Sequence, residues 1–497
     1  MRALALAWSA RPAAGGLLLR LSATNTLPHP VGVERLDVLV APEGLRGAGP
    51  ERLEATRAGW MSWTYAHVAR PVAALLREGR PLGYAPFWPP SEADRVLCPW
   101  VTRLSAPGAG SVLLGFAAAR RQAGVMALQP ALRGTRVSAS CDLEGVRLDP
   151  GQRVTSEPLL VLLDAPEAEA FRAYAAELGR RMGARVAPPF TGWCSWYELF
   201  TGVSEAAVLA NLEVLRARRD ELPVRVVLVD DGWATRWGDW DRVARERFPR
   251  GLGPLADDVR RAGLVPGLWL APFLAAHDSR LLREHPEWCL RDGRGTPVTG
   301  VSRQRSVSLD VTHPGLREHL HGLVRHLVRD LGFGHLKADF LFAAAVRGVR
   351  ADRRATGVSA YRSGLALLRH AAGERTTLAG CGGLLAPSAG VVDAMRISPD
   401  TGEHWDFPDP CGGRPAVRNA VRSTLAHWWA QGALWASDPD CIVARLRGGT
   451  LTPAEVEAAL AVIALSGGAA VLSDDLRHLP AARRALAARL LPPSGRA

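Results

Sequence analysis

Lysine is almost missing from this chain. Of its 61 basic residues, Lys337 is the single lysine and all the others are arginines. Arginine and lysine are interchangeable where only a solvated charge is needed, but a compact ammonium alone fits beside a carboxylate in a confined pocket. Lys337 lies at the end of an apolar run, shortly before Asp339. The retained lysine therefore indicates a candidate site, with chance survival as the alternative.

Cysteine is sparse and unpatterned. The seven cysteines are odd in number and never show the C-x-x-C or Cys/His spacing of metal sites. They predict reduced thiols in a cytoplasmic protein without a bound metal. The glycine-rich fingerprint of dinucleotide-binding sheets is also missing, so no cofactor is expected.

Long apolar runs and blocks of like charge are absent as well. No stretch reaches the roughly 18 residues that a membrane helix needs. The first ten residues imitate a short signal peptide, but strand-like sequence follows without a break and favours an opening β-strand. The net charge of +12 is spread over the whole chain, with no nucleic-acid motif. Neither a membrane nor a nucleic acid is expected as a partner, and the oligomeric state stays open.

The first part of the chain, residues 1–185, reads as a domain of its own. Gly and Pro turn signals punctuate short β-rich runs, which is typical of an antiparallel β-sandwich. The clearest runs are 16–21, 35–40, 111–117, 124–128 and 159–163.

Residues 186–497 alternate between apolar strands and amphipathic helices, which predicts a (β/α)8 TIM barrel. The strands are rich in Val and Leu without alternation, as parallel strands covered on both faces are. Helix signals cover 254–263, 314–332, 361–372 and 480–491. A doubly wound sheet is the alternative. The barrel is expected to end with its last helix and little or no C-terminal β-domain. The strand candidates are 192–197, 225–231, 267–273, 335–340, 376–382, 394–400, 434–440 and 469–475.

Carboxylates and indoles dominate the carboxyl ends of these strands, where a barrel places its active site. Sugars offer hydroxyls to carboxylates and apolar C–H faces to Trp rings, so the pattern favours carbohydrate chemistry. For any one aspartate taken alone, a helix cap or a turn is the alternative. Trp60 and Trp63 occupy a loop-like segment of the first domain and either reach the site or belong to the core. The strand-end candidates are Trp193, Asp230, Asp231, Trp269, Lys337, Asp339, Cys381, Arg396 and Asp400.

Four motifs follow one another along the predicted barrel: Asp230-Asp231-Gly232-Trp233, Gly267-Leu268-Trp269, Lys337-Ala338-Asp339 and Arg396-Ile397-Ser398-Pro399-Asp400. A single Lys-x-Asp would be a weak signal, whereas four motifs in order on the expected strands are specific. Together they resemble the α-galactosidases of glycoside hydrolase family 36, the melibiases. The resemblance implies a retaining enzyme with an N-terminal β-sandwich before a (β/α)8 barrel.

The resemblance implies two catalytic carboxylates. Asp339 corresponds to the nucleophile that forms a covalent galactosyl-enzyme, and Asp400 to the general acid and base. Lys337 is expected to hold a sugar hydroxyl and to keep Asp339 ionised by its positive charge. Arg396 is expected near Asp400 or the sugar.

Further residues are implied to bind substrate. Asp230 and Asp231 resemble the pair that accepts hydrogen bonds from the 4- and 6-hydroxyls of galactose, and Trp269 is expected to pack against the sugar. Cys381 corresponds to a position near the 2-hydroxyl. Trp193, and Trp60 or Trp63 from the first domain, complete the expected set.

The expected substrate is a terminal α-D-galactosyl residue of a melibiose- or raffinose-type oligosaccharide. A related retaining α-glycosidase, such as an α-N-acetylgalactosaminidase, and a raffinose-synthase-like galactosyl transferase are alternatives within the same chemistry. A sugar-binding protein without turnover is the alternative outside enzymes, and the presence of both Asp339 and Asp400 argues against it.

Overall fold

The computed structural model describes residues 3–42, 48–64, 66–77, 94–406, 416–446, 450–493 and 495. Within them, the chain before residue 185 forms mainly antiparallel strands, as predicted, and begins with a strand. Helices α1 (Val72–Arg77) and α2 (Glu167–Met182) interrupt and follow the strands. The strands are β1 (Leu4–Ala13), β2 (Gly16–Asn25), β3 (Val31–Ala41), β4 (Glu54–Arg57), β5 (His67–Pro71), β6 (Val96–Pro99), β7 (Val101–Ala106), β8 (Gly110–Phe116), β9 (Ala123–Ala131), β10 (Gly134–Leu148), β11 (Arg153–Thr155) and β12 (Leu159–Leu163).

The strands form two sheets of unequal width. One sheet is eight-stranded, in the order β1-β2-β12-β8-β7-β4-β5 with β11 paired to β2, and the other is four-stranded, in the order β3-β10-β9-β6. Side chains from both sheets, including Leu19, Leu36, Phe116 and Met126, make one buried core. The predicted antiparallel sandwich is confirmed.

The second part of the chain alternates strands and helices. Each of the eight predicted barrel strands is confirmed. The observed strands begin within two residues of the predicted starts and end two to four residues before the predicted ends. The barrel strands are β13 (Thr191–Cys194), β14 (Val226–Val229), β15 (Val265–Leu270), β18 (His335–Ala338), β19 (Thr377–Gly380), β20 (Ala394–Arg396), β21 (Ala436–Asp438) and β22 (Ala470–Leu472). The helices are α3 (Trp196–Leu199), α4 (Glu205–Ala217), α5 (Leu252–Arg261), α6 (Arg280–Glu284), α7 (Pro314–Arg325), α8 (Gly357–Ala372), α9 (Leu385–Ser388), α10 (Val417–Ala426), α11 (Pro453–Leu465) and α12 (Ala481–Ala488).

The eight barrel strands pair in parallel, in the order β21-β20-β19-β18-β15-β14-β13-β22. The two ends of this sheet meet through the Ala469 N–H, which donates to the Ser437 carbonyl at 2.7 Å. The result is a nearly closed barrel whose strand ends point to one mouth. Strands β16 (Leu274–Ala276) and β17 (Ser306–Ser308) form an antiparallel pair in the segment inserted after β15, which lies beside that mouth.

The predicted barrel is confirmed, and its fifth strand–helix unit is irregular. Only the one-turn helix α9 lies between β19 and β20, where the N-terminal domain packs against the barrel. Met61 forms a β-bridge with Leu384, and the Leu385 N–H donates to the Trp60 carbonyl at 3.3 Å. A loop of the sandwich domain is thereby held against the barrel mouth.

One continuous core joins Trp60 and Tyr174 of the first part to Trp193 and Trp435 of the barrel. The domain boundary after residue 185 stays a prediction. Six cysteines are free and buried, while Cys411 lies outside the described residues. Across the part of the chain that the structure describes, no helix combines the length and apolarity needed to cross a membrane.

Candidate active site

A pocket of about 750 Å³ opens at the carboxyl ends of the barrel strands. Eight of the predicted site residues line it, so strands far apart in sequence deliver their end residues to one place. The eight are Trp63, Asp230, Asp231, Trp269, Lys337, Asp339, Arg396 and Asp400.

The Asp339 carboxylate is held on both oxygens. Its Oδ2 accepts the Trp269 indole N–H at 2.9 Å, and its Oδ1 accepts the backbone N–H of Phe340 at 2.6 Å. Phe340 has a left-handed backbone with φ of 50°, which turns the chain sharply after the strand and aims its own N–H at the carboxylate. Asp339 is therefore buried and fixed in orientation, facing the pocket.

Lys337 forms its ion pair with Asp230 rather than with Asp339. The ammonium Nζ lies 2.8 Å from Asp230 Oδ2, and both side chains are at least nine-tenths buried. Burial, the largest single influence, lowers the pKa of Lys337, but Asp230 together with Cys381 and Cys194 raises that pKa well above its ordinary value. The ion pair with Asp230 was not part of the expectation for Lys337, and its expected contributions to a sugar hydroxyl and to the ionisation of Asp339 stay predictions.

Asp230 and Asp231 differ although they are neighbours. Asp230 forms an ion pair with Lys337, whereas both Asp231 oxygens accept the Trp237 indole N–H, at 3.2 and 3.1 Å. Burial, and then the charge of Asp230, raise the pKa of Asp231 to about 7. The pair thus offers the pocket one carboxylate and one carboxyl that titrates near neutrality.

Arg396 connects Asp400 to two further carboxylates. Its guanidinium lies 3.0 Å from Asp400 Oδ1, 3.4 Å from Asp438 Oδ2 and 2.7 Å from Asp440 Oδ1. Loss of hydration raises the pKa of Asp400 to about 7 against the opposing charge of Arg396, and Asp440 and Asp339 add to the rise. Asp400 is the one member of this cluster whose carboxyl reaches the pocket lining, so a proton can be held and exchanged there.

Four aromatic rings form one wall of the pocket. Phe340 lies at its centre, with ring centroids 4.9 Å from Trp63, 4.9 Å from Trp237 and 6.4 Å from Trp269. This wall gives an apolar surface beside the carboxylates, since Trp269 and Trp237 also donate to Asp339 and Asp231, and a sugar ring requires this combination.

Three predicted site residues lie elsewhere. Trp60 is buried in a stack on Trp100, with centroids 4.3 Å apart, so Trp63 is the tryptophan of the N-terminal domain that reaches the pocket. Trp193 is fully buried, and its indole N–H donates to the Asp474 carbonyl at 2.9 Å. Cys381 is buried beneath the site, where burial raises the pKa of its thiol. These three residues support the pocket from behind rather than line it.

Other lining residues escaped the sequence analysis. Trp237 lies in the segment after β14, outside the predicted strand ends, while Phe340 ends the predicted strand 335–340 but was not among the predicted site residues. The pocket is also lined by Gly300, Val301, Ser302 and Gln304, from the insertion that carries β16 and β17, and by Glu403 and His404 after Asp400. Long connections after strands are the ordinary source of such residues, but their path depends on tertiary packing.

The Lys337–Asp230 pair allows a prediction on stability. Lys337→Met should lower the free energy of unfolding by about 3–5 kcal/mol, because it strands a buried carboxylate. The double variant Lys337→Met/Asp230→Asn should recover part of this loss, since no uncompensated charge remains. Urea unfolding of the two variants and the parent protein measures both effects. A double variant less stable than Lys337→Met would show that the pair is not the cause.

Comparisons with known proteins agree with this geometry. The melibiase family model matches residues 207–369. Alpha-galactosidase 2 of Pediococcus pentosaceus is 30% identical over 152 residues, which are 29% of this chain and 20% of that protein. Alpha-galactosidase AgaA of Geobacillus stearothermophilus is 38% identical over 98 residues, covering 17% of this chain and 13% of that protein. These alignments thus cover a fifth or less of each relative's length.

A solved structure covers far more of the chain. The α-galactosidase TtGalA from Thermus thermophilus, in complex with stachyose, has a TM-score of 0.74 and 28% sequence identity, covering 98% of this chain and 100% of that one. The same enzyme with p-nitrophenyl α-D-galactopyranoside matches with the same TM-score and 27% identity.

Fold and site together resemble those of barrel glycoside hydrolases, with an N-terminal β-sandwich that lends an aromatic residue to the pocket. Among these, the chain is similar to the α-galactosidases of glycoside hydrolase family 36, and the resemblance recognised in its four motifs is confirmed. Among the described residues, no group of three His, Cys, Asp or Glu could hold a metal ion.

Proposed function

We propose that this protein is a retaining α-galactosidase that hydrolyses terminal α-D-galactosyl residues of oligosaccharides through a covalent galactosyl-enzyme. One observation carries the proposal: Asp339 and Asp400 line the same pocket in unlike environments. Asp339 accepts two N–H donors, whereas the pKa of Asp400 is raised to about 7. Two carboxylic acids with separate environments are what the nucleophile and the acid of a glycosidase require.

In the first step, the Asp400 carboxyl gives its proton to the glycosidic oxygen while an Asp339 oxygen attacks the anomeric carbon. The bond from that carbon to the leaving oxygen breaks, and the aglycone departs as an alcohol. A β-galactosyl ester of Asp339 and an ionised Asp400 remain. The hydrogen bond from Trp269 holds the attacking carboxylate in place, which lowers the entropy cost of reaching the reactive geometry.

In the second step, the Asp400 carboxylate takes a proton from a water molecule as that water attacks the anomeric carbon. The ester bond to Asp339 breaks, and galactose leaves with the α configuration of the substrate. Both enzyme carboxyls return to their starting states. A pKa near 7 suits this double duty, because Asp400 must give up and regain a proton at neutral pH.

Lys337, Asp230 and Asp231 are proposed to recognise the sugar. The ion pair offers both donors and acceptors to a hydroxyl group, and Asp231 lies beside it with Trp237 behind. Converging charged groups of this kind can accept the axial 4-hydroxyl of galactose and leave an equatorial hydroxyl, as in glucose, without partners. Leaving such buried polar groups unpaired is a strong source of discrimination.

A panel of aryl α-glycosides carrying galactose, glucose or N-acetylgalactosamine tests the proposal. The galactoside should be the preferred substrate in kcat/KM, with the product released in the α configuration in early NMR spectra. A preference for N-acetylgalactosamine would identify the related α-glycosidase activity. An initial β product would contradict the retaining mechanism, and no turnover of any member would leave only a sugar-binding role.

Gly382 leads to a separate prediction about the nucleophile. This glycine has φ of +51°, and a Cβ there would lie 2.7 Å from the Trp63 ring and 3.0 Å from Asp339 Oδ1. Gly382→Ala should therefore displace both side chains and lower kcat by roughly 10²-fold, because small misplacements of reacting groups are costly. Gly373→Ala is the matched control, since its φ is also positive but its Cβ position is open. Equal losses in the two variants would point to backbone strain alone.

A further inference from the structure

The first strand of the protein is exposed on both faces. β1 is the edge of the eight-stranded sheet, and within Leu4–Ala13 the eight residues between the two ends are all exposed. Leu6 and Trp8 are 65% and 59% exposed. The facing sheet has four strands and leaves this edge uncovered.

The strand from Leu4 to Ala10 lacks the usual protection against edge-to-edge pairing. Residues 3–10 contain no charged side chain and no proline, and Arg11 and Pro12 follow only at the end of β1. β1 pairs with β2 over its whole length without a bulge. Natural proteins usually blunt a long, flat, apolar edge with charge, proline or a bulge. An edge left in this state is a template for another strand.

The backbone groups that face outward can be identified. The Thr26 N–H donates to the Ala3 carbonyl, so the odd-numbered residues of β1 turn their backbone groups toward β2. The two-residue turn Ala14–Gly15, with φ of 50° and 79°, joins β1 to β2. It makes Ala13 and Gly16 a hydrogen-bonded pair, so the odd-numbered residues again face β2. Leu4, Leu6, Trp8 and Ala10 therefore present their N–H and C=O groups to the outside. Pro12, which has no N–H, continues this outward row.

The side chains of the outward row share a face with the sandwich core. Leu4 packs partly against that core, and the β2 partners of Leu6 and Trp8 are Ala23 and Leu21, of which Ala23 is fully buried. The apolar face of β1 thus continues the core-facing surface of the eight-stranded sheet beyond the part that the four-stranded sheet covers.

We propose that β1 pairs with β1 of a second copy of this chain, antiparallel about a two-fold axis at Ala7. In this register Leu6 lies opposite Trp8, and Leu4 opposite Ala10, of the second copy. All four outward residues then form hydrogen-bonded pairs, about eight hydrogen bonds in total. Shifting the register by one pair so that Leu4 lies opposite Pro12 brings a residue without an N–H into the ladder and loses a hydrogen bond. The edge is self-complementary, as an isologous dimer requires.

The dimer joins the two sandwich sheets into one continuous sheet. Leu6 and Trp8 of both copies then make one apolar cluster on the core face, while Ala5, Ala7 and Ser9 leave only small side chains on the other face. The catalytic pocket is lined by barrel residues and Trp63, so pairing leaves it unobstructed.

Sedimentation equilibrium of the full chain tests the proposal. We expect a concentration-dependent monomer–dimer equilibrium, and Leu6→Lys should weaken dimerisation by about tenfold or more. Leu132→Lys is the matched control, because it makes the same change at a fully exposed leucine outside β1. Galactosidase activity per chain should be unchanged in both variants. A monomer at all concentrations, or a dimer that Leu6→Lys does not weaken, overturns the proposal.

A cysteine scan tests the register. Ala7→Cys places two thiols on a non-hydrogen-bonded pair with Cα atoms about 4.5 Å apart, within disulfide range. Copper–phenanthroline with oxygen should oxidise this pair to an intermolecular disulfide, whereas Ala5→Cys, whose partner is Ser9, should cross-link far less. The parent protein shows the background, since its described cysteines are buried. Equal cross-linking of the two variants, or preferential cross-linking of Ala5→Cys, contradicts this register.

Discussion

Replacing Asp339 by alanine should lower kcat on an aryl α-galactoside by a factor on the order of 10⁴–10⁶, the usual consequence of losing a catalytic nucleophile. Asp339 is the pocket carboxylate held by both Trp269 and the Phe340 N–H, and no neighbouring acid shares this arrangement. Steady-state kinetics measures the loss. Substrate binding should persist, because the Lys337–Asp230 pair is untouched.

Chemical rescue makes the same experiment diagnostic of the nucleophile. In Asp339→Gly, azide can enter the vacated space and attack the anomeric carbon of a dinitrophenyl α-galactoside. The expected product is β-galactosyl azide, whose inverted configuration NMR identifies. An α-configured azide would show that another residue forms the covalent intermediate.

Asp393→Asn is a control for folding. Asp393 is buried at the opposite end of β20, where it pairs with Arg369 and accepts the Leu378 N–H. Its substitution should destabilise the barrel while leaving turnover of the folded fraction nearly normal. If Asp393→Asn reduced kcat as strongly as Asp339→Ala, a general structural defect would explain both.

Asp400→Asn should have the second-largest effect, and its size should depend on the leaving group. With raffinose the variant should lose about 10²–10⁴-fold in kcat/KM, since the sugar leaving group needs a proton. With a dinitrophenyl leaving group the first step should be nearly normal. The second step then lacks its general base, so the galactosyl-enzyme should accumulate and appear in intact-protein mass spectra.

The pH profile provides an independent test of Asp400. Its carboxyl must be protonated to start the reaction, so kcat/KM should fall as the pH rises through about 7, the raised pKa of that group. Asp400→Asn should abolish this alkaline limb. Asp231 has a pKa raised to about the same value, which makes Asp231→Asn the necessary comparison. Asp231→Asn should retain the alkaline limb. If it abolished the limb while Asp400→Asn retained it, Asp231 rather than Asp400 would be the group whose titration limits the activity.

Local sequence determined most of the architecture. The Val- and Leu-rich strands, the turn signals of the first 185 residues and the proline that begins α7 are local patterns, and each predicted the correct element. The strand-end rule then gathered Asp230, Asp231, Lys337, Asp339, Arg396 and Asp400 at one mouth, because parallel barrel strands all point the same way. Trp269 was found by the same rule.

Local patterns failed where the answer depended on distance in space. The fifth strand has no full helix because the sandwich domain packs there, and no local signal reports that contact. Trp193 and Trp60 are of a residue type that often contacts sugars, yet both indoles are buried in the protein core. Trp63 reaches the pocket instead, since the loop after Trp60 is held against Leu384.

The solitary lysine shows the division most clearly. By itself, the sequence indicated that Lys337 was a special position two residues before the aspartate proposed as the nucleophile. Only the tertiary structure decided its partner: β14 brings Asp230 to 2.8 Å from Nζ, while Asp339 is held by Trp269 and Phe340. Sequence spacing reports which residues share a strand end, whereas ion pairs form between strands, at distances set by how the barrel closes.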